Sequence, residues 1–169
     1  MSQHVRPIAL VFTALIGACA HPEASTSLVI PGDPLPIVRL RAEPYSFSYN
    51  SGLDQAGRIV VRDPSSWQTL WAQIHRGYTP VPAVPAVDFS QEMIVVVALG
   101  SRSSGGYGIL VDGANEARNA GLVVMVRSIS PGPKCGVTAA LTQPVDIARV
   151  ARRDGDVSFL ERSEVHTCE

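Results

Sequence analysis

Lysine is almost absent from this sequence: Lys134 is the only one, and the other thirteen basic residues are arginines. There is no excess of either charge, because 14 basic and 15 acidic residues are interspersed and the formal net charge is -1. Without a basic stripe nothing can hold a row of phosphates, so nucleic acid is not an expected partner. Histidine is scarce, and beyond the leader only His21, His75 and His166 remain, far apart in the chain. A hydrolase needs a nucleophile, a base to activate it and a group to orient the base. Ser101, Ser103 and Ser104 lie near glycines, but no G-x-S-x-G elbow surrounds them and no histidine is placed beside them. The same segment has the glycine spacing of a phosphate loop, yet Gly106 stands where the lysine belongs. No catalytic residue, cofactor or internal repeat is read from the chain. A hydrolytic enzyme is the last of the functional classes retained.

What is present begins with an address. In MSQHVRPIALVFTALIGACA, Arg6 precedes an apolar run from Ile8 to Ala18. That run is too short for a mature membrane span and reads as a signal peptide over residues 1–18. Ile16-Gly-Ala-Cys19 resembles a bacterial lipobox, in which the cysteine is lipidated and the signal cleaved before it. Several acyl chains on Cys19 would anchor the protein stably, at about 0.8 kcal/mol per buried CH2. Ala20 and His21 stand where an aspartate would favour inner-membrane retention, so outer-membrane attachment in the cell envelope is expected. Residues 19–35 mix Pro, Gly, Ser and Thr without a period and read as a tether.

The remainder, 36–169, is long enough for one core of ordinary size. Short β-branched runs at 36–42 and 57–62 predict strands. Asp63-Pro64 supplies an N-cap and a first-turn proline, and Trp67, Leu70, Trp71 and Ile74 recur on one helical face. The helix is expected to end near Arg76-Gly77. The proline-rich segment 78–89 is a connection that cannot form a ladder. Met93 to Leu99 is a continuous apolar run of strand length, as expected for a strand buried on both faces. Alternation around Tyr107–Asp112, then 122–129, 145–150 and 157–160, completes about seven strands, with Gly113 to Gly121 read as a connection. Short turns favour antiparallel pairing. The expected fold is mainly β (α+β), an antiparallel sheet or sandwich with one packed helix.

Two features can carry function. Gly100 to Gly106 is longer than the usual hairpin loop, and such connections are often functional. Gly105-Gly106 allows positive φ or close approach of another backbone, Tyr107 offers an amphipathic ring, and Arg102 an exposed charge. The alternative is a purely structural bulge with Tyr107 turned into the core. Ser101, Arg102, Ser103, Ser104, Gly105, Gly106 and Tyr107 are therefore the candidate partner-binding loop, joining the buried strand to its neighbour. The second feature is cysteine arithmetic. If Cys19 carries lipid, Cys135 and Cys168 remain as an even pair, most simply a disulfide in an oxidising compartment. A metal site built from Cys135, His166 and Cys168 competes with it, but zinc wants a fourth ligand or an open water position, and no metal is assigned.

Asp88-Phe89-Ser90, Met93-Ile-Val-Val-Val, Gly100-Ser-Arg-Ser-Ser-Gly-Gly-Tyr107, Pro131-Gly-Pro-Lys-Cys135 and Thr142-Gln-Pro144, in this order and spacing, resemble the C-terminal domain of the PrcB family of protease-complex subunits. The likeness covers roughly residues 60–160, and Ser104 stands where that family has threonine. It implies a surface lipoprotein that stabilises a secreted serine-type protease complex through protein contact, without catalysis. The SSGGY segment is also similar to the glycine-containing loop of chagasin-type peptidase inhibitors, which gives the alternative function of an inhibitor.

Overall fold

The structure, a computed structural model, describes residues 32–40 and 50–169. Cys19, the lipobox and nearly all of the tether lie outside these residues. Among them are eight strands and one helix. Strands β1 (Pro34–Leu35), β5 (Gly108–Ala117), β6 (Gly121–Pro131) and β8 (Val157–His166) form one sheet in the order β1-β5-β6-β8. Strands β2 (Ile37–Arg39), β3 (Ala56–Val61), β4 (Glu92–Leu99) and β7 (Val145–Ala151) form a second in the order β2-β7-β4-β3.

Side chains on a strand alternate between faces, so an unbroken apolar strand must be covered on both. This is the position of β4. Met93, Val95, Val97 and Leu99 meet Ile109, Val111, Leu122, Val124 and Val126 of the other sheet. Ile94, Val96 and Ala98 meet helix α1 (Pro64–Ile74) through Trp67, Leu70, Trp71 and Ile74. The molecule is thus layered helix, sheet, sheet. Burying a side chain of this size contributes about 1.5–3 kcal/mol, and β4 does so along its whole length.

The helix starts where the sequence places it. Asp63 accepts from Ser66 N at 2.9 Å and from Ser65 Oγ at 2.6 Å. These bonds, led by the Ser65 hydroxyl, hold its carboxyl down at about 2. The proline-rich connection lies against the helix, with Trp67 Nε1 donating to Pro85 O (3.0 Å) and Trp71 Nε1 to Pro82 O (2.9 Å). Both tryptophans are core anchors.

Four details differ from the sequence reading. Pro34–Leu35, assigned to the tether, is paired with Asn115 and Ala114, which makes an eighth strand. Strand β5 runs on to Ala117, so the connection after it is only a tight turn with Asn119 and Ala120 at positive φ. A register shift between Val111 and Gly113 breaks the alternation there and disguises the strand. Strand β8 continues to His166 although its second half is polar, because it is an exposed sheet edge. It also runs parallel to β6, against the antiparallel expectation. Strand β7 lies between them in sequence but in the other sheet, so the chain crosses the sandwich and returns without a crossover helix.

Candidate functional site

Strands β4 and β5 belong to different sheets, so the loop between them is an inter-sheet crossing and not the connection between neighbours that the sequence suggested. Its backbone is pinned along most of its length. Gly100 has φ +76, and a Cβ there would lie 2.7 Å from Ala56 N. Ser101 N donates to Asp54 O (3.0 Å) and its Oγ to Asp54 Oδ1 (3.2 Å), while Gln143 Nε2 reaches the same carboxylate oxygen. Arg102 and Thr142 exchange both backbone hydrogen bonds, at 2.8 and 3.0 Å. Thr142, itself buried, donates from Oγ1 to Ser104 O at 2.8 Å. Gly105 N donates to Thr138 O at 2.9 Å.

The glycine pair has a packing explanation. A Cβ on Gly105 would stand 2.4 Å from Thr138 Oγ1, and one on Gly106, at φ +85, would stand 2.8 Å from Val137 Cγ1 and 3.0 Å from Pro131 Cβ. Tyr107 is half-buried against the core between the sheets, with the Arg102 guanidinium 5.8 Å above its ring centroid. The structural alternative therefore describes Gly105, Gly106 and Tyr107. Ser101 and Ser103 remain exposed, and Arg102 is half-buried.

What emerges is a two-segment platform. The second segment, 131–143, supplies exposed Lys134, Val137 and Leu141, with Val137 41% and Leu141 74% accessible. Sequence reasoning found the first segment, had Pro131–Pro133 within the family pattern, and missed Asp54, Thr138 and the clasp at Thr142. Thr142-Gln143 was visible only as part of a family pattern, because hydrogen bonds between segments this far apart leave no periodic signal.

The segment is tied down at its start by the disulfide, Cys135–Cys168. His166 lies beside that pair, with one ring nitrogen and the two sulfurs all within 4.8 Å of one another. His75 is buried beneath the helix end, with Nδ1 2.9 Å from Trp71 O and its ring 4.1 Å from that of Trp71. Ser101 Oγ is bonded to a carboxylate rather than an imidazole. No helix of the described residues is long and apolar enough to cross a membrane.

Residues 93–151 match the family model described as PrcB C-terminal, a span running from the buried strand β4 through the whole platform to the end of β7. No curated protein and no solved structure matches the chain. The narrower match falls inside the 60–160 stretch read from sequence, and with the loop, the Pro131 turn and the Thr142 clasp all within it, residues 93–151 are the part of this chain that carries the PrcB C-terminal family pattern.

Proposed function

We propose that this is a non-catalytic cell-envelope lipoprotein whose 101–107 and 131–143 segments bind another protein, in the manner of a subunit that stabilises a secreted protease complex. The observation that carries the reading is the pinned platform, which holds Leu141 and Val137 out to solvent on the same two segments as Arg102 and Lys134. Large apolar side chains exposed on an ordered surface favour burial against a partner. A backbone already fixed by hydrogen bonds loses little further entropy on binding. The inhibitor alternative draws less support, because the SSGGY backbone is bonded to 138–142 rather than standing clear to enter a cleft.

The test is crosslinked recovery of partners from the native envelope with the full chain and with Arg102→Ala/Leu141→Ala. The double variant should recover markedly less partner while its stability stays within about 1 kcal/mol, as surface changes usually allow. Equal recovery sinks the platform reading, and near-stoichiometric inhibition of a protease panel would favour the inhibitor. Anchoring is tested separately. Cys19→Ser should move the protein out of the membrane fraction, and retention there would count against lipidation.

A further inference from the structure

Cys135, His166 and Cys168 bring two sulfurs and an imidazole together at one end of the first sheet, on partly exposed surface. We propose that the disulfide masks a zinc-class metal site, which is uncovered when the pair is reduced. Two thiolates and one imidazole nitrogen are a donor set suited to a borderline-soft d10 cation, and a water can complete a tetrahedral shell.

The reason to expect a site rather than two loose thiols is that the sulfur-bearing segments are held together by more than the sulfur bond. The parallel ladder of β6 and β8 runs up to the pair Pro131 and His166. Beyond it Gly132 N donates to His166 O at 2.8 Å, and Cys135 N donates to Gly132 O at 3.0 Å. A Cβ on Gly132 would lie 2.8 Å from His166 O, so the close approach depends on glycine. Cys135 and His166 are thus fixed relative to each other through the backbone. Cys168 is tethered two residues beyond His166, within reach without the bond.

The chemistry balances with a dithiol reductant, such as a thioredoxin-like partner. Its thiolate attacks one sulfur of the pair, and the released sulfur takes up a proton. Its second thiol resolves the mixed disulfide, the dithiol leaves as a disulfide, and Cys135 and Cys168 are both thiols. Zinc then displaces a proton from each thiol and takes the neutral imidazole as its third protein ligand.

The experiment uses the full chain, oxidised or reduced with a phosphine so that the reductant is not a dithiol chelator. Zinc is titrated against a chromogenic competitor, with cobalt as a spectroscopic stand-in that reports thiolate ligation. The reduced chain should bind zinc stoichiometrically with proton release, and the oxidised chain should not. His166→Ala should weaken binding roughly tenfold or more, since even losing an outer partner of a metal ligand commonly costs that much. Lys134→Ala should leave it unchanged. Binding by the reduced chain no tighter than by Cys135→Ser/Cys168→Ser, or equal affinity in His166→Ala, would overturn the proposal. So would amide exchange at Gly132 and His166 in the reduced chain as fast as in an unfolded peptide, because the backbone scaffold would then depend wholly on the disulfide.

Discussion

Asp112 sits at the bulge in β5 and collects two arginines from two neighbouring strands. Arg127 of β6 approaches at 3.0 Å and Arg162 of β8 at 2.6 Å, and Arg127 also reaches Glu164 at 3.1 Å. Burial works against the Asp112 charge, but the hydrogen bonds from Arg127 and then Arg162 outweigh it and hold the carboxyl below its ordinary value. A carboxyl whose folded pKa is depressed contributes stability that is present above its unfolded value, near 4, and lost as pH falls through the folded value. Asp112→Asn should therefore cost about 1–2 kcal/mol at neutral pH, discounted for partial exposure. In urea melts the gap from the unaltered protein should close as pH drops below about 4, and a gap independent of pH would mean that the charge is irrelevant. Gly106 makes a different demand at the same scale. Its φ of +85 is one that an L side chain resists, and Val137 and Pro131 crowd the space a methyl would take. Gly106→Ala should lower stability by about 1–2 kcal/mol in thermal unfolding.

At the scale of elements, the two sheets are joined by more than apolar packing. Strand β1 pairs only with Asn115 and Ala114, so the edge groups of Val111 need other partners. Asp146 of β7, 7% exposed, accepts from Val111 N at 2.8 Å, and Arg39 of β2 donates to Val111 O at 2.6 Å and to Asp146 at 3.1 Å. Asp146→Ala leaves the buried Val111 amide without its acceptor and the Arg39 guanidinium without its carboxylate, and should cost about 2–4 kcal/mol in denaturant unfolding. Asp146→Asn, which keeps an acceptor, should cost less. None of this was legible beforehand, because a lone aspartate in an apolar strand gives no periodic signal. Where burial is one-sided or complete the sequence speaks clearly. Trp67, Leu70, Trp71 and Ile74 mark the helix, and Met93 to Leu99 marks the doubly covered strand. Where burial is slight it is silent, so the polar end of β8 and the two residues of β1 went unread. The loop residues were recognisable from composition. Their clasp to Thr138, Thr142 and Asp54 was not, since only the fold brings those distant segments into contact.

For the whole molecule, the decisive link is the one at the C-terminal end. Strand β8 is a sheet edge paired with β6 alone, and its last residues are exposed, Val165 included, so apolar burial holds that end weakly. The disulfide spans a sequence separation of 33 that includes the excursion of β7 into the opposite sheet. By restricting the unfolded chain, a closure of that size contributes about 3–4 kcal/mol. Cys135→Ser/Cys168→Ser should lower unfolding stability by that amount, and adding a reductant should bring the unaltered protein down to match it. The loss should also reach the platform, because beyond Cys135 its second segment is held to the first by the backbone bonds of Thr138 to Gly105 and of Thr142 to Arg102. With the staple gone, the bond from Gly105 N to Thr138 O should open more often, which amide exchange at Gly105 would register. Partner recovery should then fall in this variant although Arg102, Lys134, Val137 and Leu141 are intact. Reduced stability with undiminished recovery would mean that the Arg102–Thr142 clasp alone orders the binding surface, and that the disulfide secures only the tail.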